Sequence, residues 1–156
     1  WKRSSETSNQ NIVSKPPTSK VVALRSNANS KFVCAENGGQ SSLIATQNTV
    51  SSWETFDLIV LSGDNVALKS HANGHYVSSE TAGNSPLIAN HTEVSSSETF
   101  KMVDCGNGKV AFIADNGKYV CADYFGMSAL IANRTNINSW ETFDLVHQPL
   151  PSREIS

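Results

Sequence analysis

Three copies of one motif follow each other along the chain, and this repetition limits the folds that the chain can adopt. Leu43-Ile44-Ala45 returns as Leu87-Ile88-Ala89 and as Leu130-Ile131-Ala132, at spacings of 44 and 43 residues. Glu54-Thr55-Phe56 returns in the same register as Glu98-Thr99-Phe100 and as Glu141-Thr142-Phe143. A repeat of this length corresponds to one supersecondary unit. We therefore expect three similar units within one domain.

Each repeat contains four short apolar segments that are separated by Asn, Gly and Ser. In the first repeat they cover residues 22–24, 32–35, 43–45 and 56–59. This spacing predicts four strands per repeat, and the absence of a 3.6-residue periodicity predicts no helix longer than a single turn. Four strands also form a propeller blade, but propellers ordinarily close with about four or more blades. Three units predict an all-β fold, a β-trefoil of twelve strands with pseudo-threefold symmetry.

Turns and core positions should follow the same symmetry. Asn29-Ser30, Asn73-Gly74 and Asn116-Gly117 lie between the first two strands of the repeats, and Asn-Gly favours a type I′ hairpin. Gly39, Gly83 and Gly126 mark a second turn. The predicted core consists of four threefold sets: Leu24, Leu68 and Phe112; Phe32, Tyr76 and Tyr119; Leu43, Leu87 and Leu130; Phe56, Phe100 and Phe143.

The two ends of the chain differ in composition from the repeats. Residues 1–19 are rich in Ser, Thr, Asn and Lys, and we expect them to be a flexible linker from a preceding domain. Residues 149–156 are polar and are predicted to form a C-terminal tail. The β-trefoil should therefore occupy residues 20–148.

Charge and hydropathy argue against two classes of partner. The 12 Lys and Arg are scattered among 14 Asp and Glu, and the net charge is −2, so no nucleic-acid partner is predicted. No apolar run reaches the roughly 18 residues of a membrane-spanning helix, and the N-terminus lacks the pattern of a signal peptide. We expect a monomer that does not bind membranes.

Neither a metal site nor a cofactor is predicted. Cys34, Cys105 and Cys121 form no CxxC pair and no cluster with histidines at ligand spacing. Because Cys34 and Cys121 occupy the same place in two repeats, we interpret them as small, buried, apolar residues rather than as a disulfide.

Catalytic residues are not expected either. His71, His75, His91 and His147 have no equivalents in the other repeats, and no nucleophile motif accompanies them. The carboxylates of a glycosidase lie about 5 to 10 Å apart. The repeated glutamates should be farther apart than this, because they belong to three symmetry-related places.

Two Trp-Glu pairs are the strongest candidates for a binding site. Trp53-Glu54 and Trp140-Glu141 each precede the last strand of a repeat and follow polar residues, which favours partial exposure. An indole can stack on the apolar face of a pyranose while a carboxylate accepts hydrogen bonds from sugar hydroxyls. The alternatives are a tryptophan lid over the barrel and glutamates that bond to a neighbouring turn. Ser97 replaces the tryptophan in the second repeat, and a structural lid should not be dispensable there.

The segments NGKYVCA (116–122), LIANRT (130–135) and WETF (140–143) resemble the fascin-like β-trefoil superfamily, specifically carbohydrate-binding module family 92. The similarity extends from about residue 21 to residue 146. It implies a non-catalytic, secreted module attached to a polysaccharide-degrading bacterial enzyme, with up to three sites that each use a Trp and a Glu. These would be Trp53 with Glu54, Trp140 with Glu141, and Glu98 without its tryptophan. The implied ligands are β-1,3- or β-1,6-linked glucans, or red-algal galactans such as carrageenan.

Other polar residues near these pairs are further candidates for ligand contact. Arg134 offers a cation for a sulfated chain where the other repeats have Gln47 and His91. Glu36 and Asp123 follow the second strand of their repeats, and Asn133 precedes Arg134; all three could equally be turn residues. Fascin-like trefoils also occur in actin-bundling proteins, so actin binding is the alternative function. A trefoil protease inhibitor ranks last, because the loops are short and similar in all repeats.

Overall fold

The computed structural model describes residues 19–148, which form twelve strands and six single turns of 3-10 helix. The first repeat contains β1 (Ser19–Ser26), β2 (Phe32–Ala35), β3 (Leu43–Gln47) and β4 (Phe56–Ser62). The second contains β5 (Asn65–Ser70), β6 (Tyr76–Ser79), β7 (Leu87–His91) and β8 (Phe100–Gly106). The third contains β9 (Lys109–Ile113), β10 (Tyr119–Ala122), β11 (Leu130–Arg134) and β12 (Phe143–His147).

Six strands close into a barrel in the order β1-β4-β5-β8-β9-β12, and β12 pairs with β1 to complete it. The other six form the hairpins β2-β3, β6-β7 and β10-β11. The second strands of these hairpins contact one another around the pseudo-threefold axis. The predicted all-β trefoil is confirmed. The predicted tail, and the predicted linker apart from Ser19 in β1, lie outside the described residues.

Three of the four predicted core sets are buried around the axis, each residue with 2% exposure or less. The set of Phe32, Tyr76 and Tyr119 is wrong, because these rings are only partly buried. Side chains alternate between the two faces of a strand, and the next residues, Val33, Val77 and Val120, fill the core instead. Two of these outward rings lie under cations: Arg25 is 5.8 Å from the centre of Phe32, and Lys69 is 5.6 Å from that of Tyr76.

The asparagines of the first turn act through their side chains. Asn29 donates from Nδ2 to the Ala45 carbonyl at 2.9 Å and accepts at Oδ1 from the Lys31 N–H at 3.0 Å. Asn73 and Asn116 make the equivalent bonds to Ala89 and His75 and to Ala132 and Lys118. Only the residue after each asparagine has a positive φ, so the predicted type I′ geometry, which needs two, is not adopted.

Each of these asparagines also packs against a glycine of another repeat. Gly126 has φ +84°, and a Cβ there would overlap the Asn29 amide. The same contact joins Asn73 to Gly39 and Asn116 to Gly83. The three Asn-Gly contacts explain why the second turn of every repeat carries a glycine.

Candidate functional site

One tight turn is repeated at the entrance to the last strand of every repeat. In the first repeat, Glu54 Oε1 accepts hydrogen bonds from the Ser51 backbone N–H at 2.7 Å and from its hydroxyl at 2.6 Å. Equivalent bonds join Glu98 to Ser95 and Glu141 to the backbone N–H of Asn138. The arrangement is a capping box, for which Ser-x-x-Glu is the sequence signature. The turn fixes the backbone around position 53 and its equivalents.

The repeated glutamates are buried. Glu54, Glu98 and Glu141 are exposed by 4%, 1% and 2%, so their carboxylates do not reach the surface. Burial would raise the pKa of Glu54, but hydrogen bonds from Cys34 and Ser51 outweigh it and leave the pKa below its ordinary value. These positions do not fit the prediction that the glutamates bond directly to a sugar. They fit the alternative, a structural bond to the neighbouring turn.

Two cysteines complete the surroundings of the buried glutamates. Cys34 and Cys121 are buried and free, as predicted. Burial, together with a hydrogen bond to Glu141, raises the pKa of Cys121 to about 12. Burial and Glu54 raise the pKa of Cys34 as well. Both thiols are therefore protonated at neutral pH and can donate to the carboxylate beside them.

The first platform is the surface formed by Trp53, Gly38, Glu36 and Thr46. Trp53 is 41% exposed, and a Cβ at Gly38 would lie 4.0 Å from its ring, so the indole lies beside the Glu36–Gly39 turn. Glu36 Oε2 accepts a hydrogen bond from Thr46 Oγ1 at 2.9 Å. An aromatic face therefore lies next to exposed hydrogen-bonding groups. Nearby, a cleft of about 450 Å³ opens between the first two repeats, lined by Gly38, Gly39, Gln40, Asn73, His75, Ile88, Ala89 and Asn90.

The third platform is the surface formed by Trp140, Phe125, Arg134, Asp123 and Asn133. The Phe125 and Trp140 rings pack edge to face, with ring centres 4.8 Å apart and planes at 69°. The Arg134 guanidinium lies 5.3 Å from the Trp140 ring centre. Arg134 also donates to Asp123 Oδ1 at 2.7 Å and to Asn133 Oδ1 at 3.2 Å. The structure thus brings four of the predicted site residues together.

The equivalent surface of the second repeat carries Ser97 in place of a tryptophan. His91 lies there instead, with Nε2 2.7 Å from Glu80 Oε2 and Nδ1 3.4 Å from Glu98 Oε2. The imidazole therefore lies between the half-buried carboxylate of Glu80 and the buried carboxylate of Glu98. This surface offers hydrogen-bonding groups without an indole on which a ring could stack.

Two cations of the first repeat, Arg25 and Lys31, already have partners. Arg25 donates to Asp144 at 3.0 Å and stacks on Phe32, and Lys31 donates to Asn48 at 3.1 Å. Within residues 19–148 no group of three His, Cys, Asp or Glu side chains could hold a metal ion. In the same range, no helix has the length and apolar character to cross a membrane.

No protein-family model and no curated protein matches this chain in sequence. Solved structures match it well. A designed threefold-symmetric protein, ThreeFoil, superposes with a TM-score of 0.72 at 18% identity, over 81% of this chain and 97% of that one. The Rhizoctonia solani agglutinin gives 0.70 at 13% identity, over 88% and 100%. An exo-β-1,3-galactanase from Clostridium thermocellum gives 0.71 at 13% identity, over 86% of this chain and 31% of the galactanase. These similarities show the β-trefoil fold.

Proposed function

We propose that the chain is a non-catalytic carbohydrate-binding module whose ligand stacks on Trp53 and Trp140. The observation that carries the proposal is that two tryptophans stand at equivalent outer positions, each held by a capping box whose glutamate is buried and bordered by hydrogen-bonding side chains. An indole face covers the apolar C–H groups of a pyranose, while polar neighbours bond to its hydroxyls. A structural lid would need burial, and Trp53 is 41% exposed.

In this proposal the glutamates are positioning residues. Glu54 and Glu141 hold the turns that carry the tryptophans, and their carboxylates stay inside. Ligand hydroxyls instead meet Glu36 on the first platform, and Asp123, Asn133 and Arg134 on the third. Arg134 is the group on the third platform that suits a sulfated galactan, since its guanidinium has five N–H donors, two of which bond to Asn133 and Asp123, and paired donors match the oxygens of a sulfate ester.

The structural neighbours support the wider context. An agglutinin has the same fold, and a galactanase includes the fold within 31% of its length. We propose that this module is monomeric and secreted, and that it carries an attached polysaccharide-degrading domain to β-1,3- or β-1,6-glucan or to carrageenan. The same arrangement offers no convergent acid and base, so the module itself should release no sugar.

Polysaccharide retention tests the proposal directly. The wild-type protein is applied to immobilised laminarin, pustulan, agarose and carrageenan at two salt concentrations, with filamentous actin as the competing partner. A single stacked ring gives a dissociation constant from high micromolar to millimolar, about 4 to 6 kcal/mol. Two such platforms on one polymer raise retention by about two orders of magnitude through avidity. Loss of retention at high salt would identify a sulfated ligand.

Substitution of each tryptophan provides the internal controls. Trp53→Ala and Trp140→Ala should each keep weak oligosaccharide binding and lose most retention on the polymer, and the double variant should lose both. Ser97→Trp should add a third platform. Binding of the polymer by the double variant, co-sedimentation with actin instead of polysaccharide, or release of reducing ends by the purified protein would contradict the proposal.

A further inference from the structure

An exposed apolar cluster distinguishes the third repeat from the other two. Tyr124, Phe125 and Met127 are 67%, 62% and 79% exposed. The same turn carries Asn37, Gly38 and Gln40 in the first repeat and Thr81, Ala82 and Asn84 in the second. Three neighbouring positions of one surface turn are therefore apolar or aromatic in a single repeat. Apolar patches of this kind on a small domain mark binding surfaces.

The backbone conformation shows that the fold itself does not call for these side chains. Phe125 has φ 57° and ψ 32°, and its counterpart Gly38 has nearly the same angles, φ 64° and ψ 27°. Tyr124, with φ 50°, is also left-handed. Glycine adopts this region freely, whereas a bulky aromatic residue there is strained. Strain of this kind collects at ligand-binding positions.

Within this cluster, Phe125 contacts Trp140 of the third platform. The Phe125 and Trp140 rings meet at 69° with centres 4.8 Å apart, so they form two adjoining walls. The fixed Asp123–Arg134 pair at 2.7 Å borders the Trp140 wall. Aromatic walls beside a carboxylate–guanidinium ion pair suit a chain whose units are apolar on their faces and rich in hydroxyls at their edges.

We propose that Phe125 is a second stacking position of the third platform, flanked by Tyr124. This platform then holds at least two consecutive sugar units, whereas the first platform holds one on Trp53. The inference rests on the proposed carbohydrate-binding function. The two platforms are consequently unequal: affinity rises with ligand length at the third and stays constant at the first.

The test isolates each platform and measures its dependence on length. Calorimetry with mono- and disaccharides of β-1,3-glucan, β-1,6-glucan and carrageenan is carried out on Trp53→Ala, which leaves the third platform, and on Trp140→Ala, which leaves the first. We expect the third platform to bind the disaccharide about five to ten times more tightly than the monosaccharide, the value of one further aromatic contact. The first platform should show a ratio near one.

Phe125→Gly is the decisive variant, because it installs the residue that the first repeat has at this position. In the Trp53→Ala background this substitution should bring the length ratio, the affinity for the longer ligand divided by that for the shorter one, down to near one. Glycine relieves the strain at this φ, so the melting temperature should stay within about 3 °C of the parent protein. Phe125→Asn, which also tolerates this conformation, should repeat the result and guards against a folding defect in the glycine variant.

The possible outcomes distinguish failure of the second stacking position from failure of the proposed carbohydrate binding. If no oligosaccharide binds either single-tryptophan protein, the proposed function fails. If both bind with the same length ratio, or if Phe125→Gly leaves the ratio unchanged, the second stacking position is refuted and the function stands. If Phe125→Gly instead abolishes self-association in sedimentation velocity and leaves the ratio unchanged, the cluster is an interface between copies of the chain, which also overturns the inference.

Discussion

Glu54→Gln distinguishes a glutamate that positions Trp53 from one that contacts the ligand. The substitution keeps the shape of the side chain and removes its charge. Oε1 can still accept from the Ser51 backbone N–H and hydroxyl, now 2.7 and 2.6 Å away, but as a neutral amide oxygen. Binding is measured in the Trp140→Ala background, where the first platform alone remains.

The expected loss of stability follows from these two bonds. A hydrogen bond to a charged acceptor contributes about 1.5 to 3 kcal/mol, and a neutral bond contributes about 1 kcal/mol. Weakening both bonds should lower the free energy of unfolding by roughly 1 to 3 kcal/mol. For a domain of this size that corresponds to a decrease in melting temperature of roughly 3 to 12 °C.

The loss should depend on pH in a defined direction. The pKa of folded Glu54 lies below its ordinary value of 4.5, so the ionised carboxylate stabilises the fold at higher pH. This contribution is lost as the pH falls through the folded pKa. The difference in melting temperature between the parent protein and Glu54→Gln should therefore be full at pH 7 and should shrink as the pH falls below the ordinary value of 4.5 and through the lower folded pKa. Calorimetry or circular dichroism across this range measures it.

Glu98→Gln is the matched control, because Glu98 occupies the same capping box in the repeat that lacks a tryptophan. It should lower the melting temperature to a similar degree and leave carbohydrate binding unchanged. Glu54→Gln should reduce affinity at the first platform by less than about threefold. The loss of a direct hydrogen bond from a charged side chain to the ligand would reduce the affinity by far more. A tenfold loss of affinity with an unchanged melting temperature would refute the positioning role and return Glu54 to direct ligand contact.

Two further substitutions test the architecture. Gly126→Ala should destabilise the fold by at least about 2 kcal/mol more than Gly117→Ala. Both glycines have a positive φ, but only a side chain at position 126 would displace the hydrogen-bonded Asn29 amide. Equal losses of stability in urea unfolding would show that the Asn-Gly contacts do not stabilise the fold. Phe100→Ala removes a ring that is 1% exposed and should cost about 3 to 5 kcal/mol in the same assay. An unchanged unfolding midpoint would mean that this ring lies outside the core.

The fold could be predicted from the sequence because symmetry multiplies weak signals. A single Leu-Ile-Ala segment indicates little, but three copies at equal spacing specify three units, and three units of four strands leave the trefoil. Symmetry could not decide which face of β2, β6 and β10 points inward. The hydrophobicity of Phe32, Tyr76 and Tyr119 favours their assignment to the core. The β-branched Val33, Val77 and Val120 fill the core instead.

The site was only partly predictable, for two physical reasons. The exposure of Trp53 and the grouping of Arg134, Asp123 and Asn133 with Trp140 follow from their places in the repeat. The burial of Glu54 was also signalled, by the capping pattern Ser51-Ser52-Trp53-Glu54, but a carboxylate beside an indole suggests a ligand contact first. The role proposed for Phe125 could not be predicted from the repetition, because repetition shows what the repeats share and Phe125 differs from its counterparts Gly38 and Ala82.

The Asn-Gly contacts run in one direction around the axis. Each repeat inserts its amide into a recess of the repeat that precedes it in this circle, and the first repeat inserts Asn29 into the recess of the third. In the language of quaternary structure this is a head-to-tail, heterologous interface that closes after three members and leaves no free edge. One repeat of about 43 residues carries both the projecting amide and the recess. A peptide with the sequence of a single repeat therefore contains the complementary surfaces of a cyclic homotrimer, from which gene duplication and fusion would produce a chain of this kind.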